Sequence, residues 1–347
     1  MTRASDASAG ASATLPTAIP VSDPELADRL AGRLARVDAV LAEAVASTDR
    51  LADDASRHLI AAGGKRFRPL LTLLAGELGD GEDPRLVDAA VVVELTQVAS
   101  LYHDDVMDSA PVRRGAPAAH TVWGNSIAIL VGDLLFARAS ALVAGLGPEA
   151  VVLQSHTFER MCLGQLHETT GPAAGDDPVD HYLQVLSDKT ASLLATSARL
   201  GAMFGGCPDE IVEAVTGYGE KVGTAFQLAD DVLDIASSGT ESGKTPGTDL
   251  REHVPTMPVL LLRRRVERGE ASPSDTALLA RLDGDLSDDA ALAAVVADLR
   301  EHSVLAETRE LAVRWAREAA AELAPLPDGP VKQAFGDLAT ALADRAA

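Results

Sequence analysis

Aromatic residues are scarce in this chain: Phe, Trp and Tyr together make up 3% of 347 residues. Stretches alternating between apolar and polar residues are scarce as well, which argues against an all-β sandwich or barrel. The two cysteines, Cys162 and Cys207, lie far apart without metal-ligand spacing. That excludes a disulfide scaffold and a cysteine-built zinc site, and the expectation is two buried thiols in a cytoplasmic protein. Basic residues are outnumbered, with 30 Lys and Arg against 52 Asp and Glu and a net charge of -22. Nucleic acid and anionic membrane are poor direct partners for such a chain, because holding a phosphate backbone takes clustered cations. An uninterrupted apolar run of about 18 residues is missing too, so no integral membrane segment is expected. Residues 1–22 contain no apolar stretch fit for a signal peptide and are expected to be a disordered tail. Without a Gly/Ser-rich linker or an internal repeat beyond that point, residues 23–347 read as one domain.

What is present is apolar spacing at helical period nearly everywhere, within a composition of 47% hydrophobic and 24% charged residues. The fold class is therefore all-α, a large helical bundle. Helix starts are marked by Asp23-Pro24, Asp83-Pro84, Asp177-Pro178 and Cys207-Pro208, where proline sits comfortably at the first helical position. The spacing predicts a helix over Glu82 to Asp108, apolar around most of its circumference and hence central. A second buried helix is predicted over Asp209 to Ile235, ending at the breaker Ser237-Ser238-Gly239.

Each of these two helices ends in the same pattern of acids: Asp104, Asp105 and Asp108 in the first, Asp230, Asp231 and Asp234 in the second. At about 100° per residue each trio falls within an arc of roughly 100° and is expected to face one way. Three carboxylates at a helix C-terminus repel one another and the negative end of the dipole, so a cation must compensate. Mg2+ suits such oxygen ligands and commonly bridges protein acids to a diphosphate. A third copy, Asp176-Asp177-Pro178-Val179-Asp180, is set aside: it opens a helix, with Asp177 as its cap.

Two basic stretches complete the pattern. Gly63-Gly64-Lys65-Arg66-Phe67-Arg68-Pro69 sets three cations beside a glycine pair ahead of an apolar helix, which reads as an anion cradle. Arg113-Arg114-Gly115 follows the first acid trio in a turn begun by Pro111, placed for bidentate grip on phosphate oxygens.

GGKRFRP, then DDVMD with RRG close behind, then LSDKT, then FQLADDVLD, in that order, resembles the trans-type polyprenyl synthetases, over nearly the whole chain after the tail. The resemblance implies the isoprenoid synthase fold, a central elongated cavity for a prenyl chain, and condensation of isopentenyl diphosphate with an allylic prenyl diphosphate in a homodimer. It implies that Lys65, Arg68 and Arg114 hold isopentenyl diphosphate. Asp104, Asp108 and Asp230 match the principal magnesium ligands, with Asp105, Asp231 and Asp234 beside them and about three Mg2+ per site. Arg113, Lys189, Thr190, Gln227 and Lys244 match positions that grip the allylic diphosphate, and Gly243 to Leu250 resembles the closing loop. Two positions depart from the pattern: Gln97 stands where many members have a contacting histidine, and Val254 where many have a lysine.

Along the first acid-bearing helix, Ser100 and Ala99 lie about one turn, ~5.4 Å, below Asp104. Both are small where short-chain members usually carry an aromatic floor. A long product is expected, hexaprenyl to decaprenyl, with Phe136 as a deeper candidate floor and geranylgeranyl or farnesyl diphosphate as shorter alternatives. A terpene cyclase would not need the second diphosphate site that GGKRFRP and Arg114 imply. A noncatalytic subunit of a heteromeric synthase would be expected to lose acids that this chain retains. His103, Gln165 and Glu168 are further polar candidates near the site.

Overall fold

The computed structural model describes residues 19–237, 246–252 and 254–346, almost all of them helical. In chain order the first elements are α1 (Pro24–Ala44), α2 (Arg50–Ala61), α3 (Phe67–Gly76) and α4 (Arg85–Met107). A two-stranded hairpin follows, β1 (Val112–Arg113) paired antiparallel with β2 (Ala116–Pro117), and it is the only sheet among the described residues. Then come α5 (Ala119–Trp123), α6 (Asn125–Leu146), α7 (Pro148–Thr170) and α8 (Pro178–Leu186), the π-helical turn Ser187–Ala191, α9 (Ser192–Phe204) and α10 (Asp209–Ala236). The remainder is α11 (Thr248–Arg251), α12 (Met257–Glu267), α13 (Pro273–Leu282), α14 (Asp289–Glu301), α15 (Ser303–Glu322) and α16 (Pro330–Ala346).

Local chemistry explains the helix starts. Asp23, Asp49 and Asp177 each accept a backbone N–H of the first turn, satisfying donors that the helix leaves free. Ser272 and Asp275 form a reciprocal capping box on α13. At Pro84 and Pro208 the helix begins one residue later than expected, with the proline in the cap position.

α4 is the central helix, buried on nearly all sides, and it packs against α1, α3, α6 and α9. α10 packs against α9, α15 and α16. The apolar core forms two clusters, one around α4 and the other between α8, the end of α10 and the helices from α12 to α15.

Several expectations need correction. Ile19 is buried and Val21 packs against the first cluster, so the packed body starts ahead of residue 23; residues 1–18 lie outside the described part. Cys162 is exposed and Cys207 half-buried, not core thiols. α6 is long and apolar enough to cross a membrane by length and composition. It packs along α4 and α7 and carries Asp133 and Arg138.

Candidate active site

The C-terminal ends of α4 and α10 bear the two acid trios, and the π-helical turn Ser187–Ala191 packs against α7, α8, α9 and α10 beside them. A π turn widens the helix by one residue and often marks a functional position. Its rear is fixed by Arg160 of α7, whose Nε lies 2.9 Å from Oδ1 of Asp188 and whose Nη1 lies 2.5 Å from Oε1 of Glu220. Gln184 donates to the other Asp188 oxygen at 2.8 Å. Gly164 allows α7 to come this close, since a Cβ there would lie 2.8 Å from the Lys189 backbone nitrogen. The front of the turn carries Lys189 and Thr190.

Those two side chains line a cavity of about 450 Å³ with Arg68, Gln97, Ser100, His103 and Asp104 at its polar part. Ile129, Phe136, Phe158 and Met161 supply apolar wall, and the rings of Phe136 and Phe158 pack with centroids 4.1 Å apart. Ser100 is on the wall, whereas Ala99 is fully buried in the core and does not reach the cavity. The expectation that Ala99 lines the product channel is therefore corrected to Ser100 alone. Gln165 is on the wall too. Glu168 Oε2 lies 2.5 Å from Lys189 Nζ, holding the ammonium at the mouth.

The acids of each trio do not share one orientation. Burial pushes the Asp104 carboxyl up to about 6, with Lys189 opposing that rise and Asp108 adding to it. Asp108 is exposed, and Asp230 and Asp234 are half-buried. Asp105 is 0% exposed and accepts from Nε of Arg113 at 2.6 Å. Asp231 is 2% exposed and accepts from Tyr182 Oη at 2.9 Å and the Met257 backbone N–H at 3.1 Å. Burial raises both carboxyls, Asp231 well above the usual range. Asp105 is thus paired with an arginine, and Asp231 ties α10 to α8 and the start of α12. Adjacent residues on a helix stand about 100° apart, so Asp104 and Asp108 share a side that Asp105 leaves.

Glu168, which contacts Lys189, also lies within electrostatic reach of Asp104 and of Tyr182, the partner of Asp231. Thr190 Oγ1 reaches Oε1 of Gln227 at 3.5 Å, one turn before Asp230 on α10. The two acid-bearing helix ends thus border one neighbourhood around the π turn. Among the described residues no three His, Cys, Asp or Glu side chains form a ready metal cage. The donor set fits a hard divalent cation that takes one or two carboxylates and completes its shell with water and phosphate oxygens.

The basic side is also assembled. Arg68 is on the cavity wall and burial lowers its guanidinium to about 10. Arg114 Nη1 donates to the Leu59 carbonyl at 3.0 Å and Nη2 to Glu94 at 3.2 Å. Lys65 is exposed beside Gly64. Lys244 and residues 243–245 of the expected closing loop lie outside the described residues. Val254 is half-buried and donates its N–H to the Asp249 carbonyl at 2.9 Å. His103 turns away from its neighbouring acids, with Nε2 3.1 Å from the Ile129 carbonyl and 3.3 Å from Asp133. Sequence reading missed Glu94, Arg160 and Asp188. The one available signal was Glu94, a lone charge inside the apolar run Val91 to Leu95.

A family model described as polyprenyl synthetase matches residues 49–299. The nonaprenyl diphosphate synthase of Mycobacterium tuberculosis (strain ATCC 25618 / H37Rv) is 43% identical over 327 residues, 94% of this chain and 96% of that protein. The crystal structure of geranylgeranyl pyrophosphate synthase from Corynebacterium glutamicum, complexed with calcium and isoprenyl diphosphate, is similar with a TM-score of 0.82 at 40% identity, covering 94% of this chain and 99% of that one. A decaprenyl diphosphate synthase from Rhodobacter capsulatus is similar with a TM-score of 0.82 at 35% identity, covering 93% and 99%.

Proposed function

Since the chain belongs to the polyprenyl synthetase family, we infer that it is a trans-prenyltransferase that condenses isopentenyl diphosphate with an allylic prenyl diphosphate. The observation that carries this reading is a single cavity with two chemistries: Arg68, Gln97, Asp104, Lys189 and Thr190 line it together with Ile129, Phe136, Phe158 and Met161. A diphosphate head suits the first set and a prenyl tail the second.

Asp104, Asp108, Asp230 and Asp234 are proposed to hold the divalent metal, Mg2+, about three ions per site with substrate bound. Such ions would neutralise the allylic diphosphate and stabilise charge developing on it as it departs. Lys189, Arg113, Thr190 and Gln227 are assigned to that same diphosphate, and Lys244 is kept in the set on sequence grounds. Lys189 exchanges Glu168 for a phosphate oxygen when substrate arrives. Lys65, Arg68, Arg114 and Gln97 are assigned to isopentenyl diphosphate, holding its double bond in line with the allylic carbon. The Gln97 amide donates a hydrogen bond but brings no charge. The apolar walls keep water from the allylic cation, and the departing diphosphate is the base that accepts the proton.

The product is proposed to be long, hexaprenyl to decaprenyl, because Ser100 leaves the wall below Asp104 open. A second reading, geranylgeranyl diphosphate, is favoured by the Phe136 and Phe158 rings, which stand on the same cavity wall. The packed body, from Ile19 on, is proposed to act as one domain, in the cytoplasm and as a homodimer. Val122, Ile129, Leu130, Val152, Leu163 and Leu166 are exposed on α5, α6 and α7, an apolar face that a second copy would cover.

Incubating the purified chain alone with Mg2+, labelled isopentenyl diphosphate and farnesyl diphosphate tests the reading. Elongated diphosphates are expected. A hydrocarbon product would instead identify a cyclase, and no product a subunit that needs a partner.

A further inference from the structure

We propose that Glu94, which no motif of the sequence singles out, is the positioning residue of the isopentenyl diphosphate site: one buried carboxylate that sets the arginines around it. The proposal deepens the functional reading above and rests on it.

Glu94 is 3% exposed on α4, in the middle of the most apolar part of the chain. Burying a carboxylate there is costly unless it is paired and hydrogen-bonded. Its Oε1 accepts from Arg66 Nη1 at 2.8 Å and from Arg114 Nη2 at 3.2 Å. Glu94 also acts on the half-buried Arg68, favouring its charged form against the opposing effects of burial and of Arg114. Two guanidinium groups therefore share one carboxylate oxygen while a third feels its charge, and Asp38 offsets part of the Arg66 charge at 2.8 Å. The remaining charge is positive, and Nε of Arg68 is buried without a protein partner among the described residues.

The backbone shows that this arrangement is enforced. Arg66 and Arg114 both have positive φ, 47° and 54°, a conformation that costs a non-glycine residue energy and persists only where surrounding contacts impose it. The two strained arginines share the same carboxylate oxygen. Arg114 is further held by the Leu59 carbonyl, and Gly64 leaves room for it: a Cβ at Gly64 would lie 3.0 Å from the Arg114 guanidinium carbon. The glycine pair of the basic motif, the hairpin arginine and α4 thus converge on Glu94. Arg66 and Arg114 both hold the carboxylate, and Arg68 stands on the cavity wall.

Steady-state kinetics on the full chain test this, with each substrate varied in turn. Glu94→Gln is expected to raise the KM for isopentenyl diphosphate at least tenfold, with kcat and the KM for the allylic diphosphate within about twofold of wild type. Arg66→Met/Glu94→Gln, which removes the buried charge pair together, guards against a folding defect and should show the same selective rise. Adding Glu94→Gln to Arg114→Met should raise that KM by a smaller factor than Glu94→Gln does in the wild-type background, since part of its effect runs through the Arg114 guanidinium. An unchanged or lowered KM for isopentenyl diphosphate, or an equal rise for both substrates, would overturn the proposal. Arg114→Met leaving the KM for isopentenyl diphosphate untouched would instead sink the substrate assignment on which it rests.

Discussion

Arg113 Nε lies 2.6 Å from Oδ1 of Asp105, a carboxylate with no exposed surface. The second acid of the first trio thus holds a cation within electrostatic reach of Asp104. Asp105→Asn keeps an acceptor but gives up the charge-assisted bond, about 1.5–3 kcal/mol in comparable cases. The expected outcome is a KM for the allylic diphosphate raised about tenfold, with the Mg2+ concentration for half-maximal rate unchanged. Mg2+ titrations of wild type and variant decide it. A shift in metal requirement as large as that of Asp104→Asn would make Asp105 a metal acid after all.

Asp104 predicts a pH effect in the metal-free protein. Its folded-state pKa is raised to about 6 from 3.8, chiefly by burial, so the fold favours the protonated form. The stability this brings is fully present below about pH 4 and is lost as pH rises through about 6. Asparagine mimics the protonated carboxyl. Asp104→Asn should therefore raise the Tm of the metal-free protein at pH 8, by the equivalent of about 1–2 kcal/mol once solvent screening is allowed for, and the gap should close toward pH 4. A lower Tm at pH 8 would show that the charge is already compensated by Lys189 and Arg113.

Product length tests the cavity wall. Ser100→Phe puts a ring on the wall about one turn below Asp104 and should shorten the product, whereas Phe136→Ala should lengthen it. Ala99→Phe, by contrast, overpacks the core and should cost about 1–3 kcal/mol of stability without a matching change in product. Chromatography of the dephosphorylated products reads all three, and a shortened product from Ala99→Phe at wild-type stability would refute the assignment.

The apolar face of α5, α6 and α7 should be covered by a second copy. Sedimentation should find wild type dimeric and Leu130→Glu/Leu166→Glu shifted to monomer, because burying an unpaired charge at such a contact costs several kcal/mol. A monomeric wild type would dismiss the homodimer.

The helical class and the two acid-bearing helices were legible because their apolar residues repeat at helical period: Glu82 to Asp108 became Arg85–Met107, and Asp209 to Ile235 became Asp209–Ala236. The basic motifs were legible as charge beside glycine. What each acid faces was not, since an arc of roughly 100° holds both a cavity-facing Asp104 and an inward Asp105. The π turn under Lys189 depends on Arg160 and Gly164 of α7 meeting Asp188, which is distant from them in sequence and joined to them only by packing. Phe136 was legible as a candidate floor, whereas its pairing with Phe158 is tertiary.

The central claim is that the ends of α4 and α10 act together on one metal-bound diphosphate. Turnover of Asp104→Asn/Asp230→Asn with isopentenyl and farnesyl diphosphate at saturating Mg2+ measures it most directly. A fall of about a thousandfold or more is predicted; turnover equal to wild type would contradict the account.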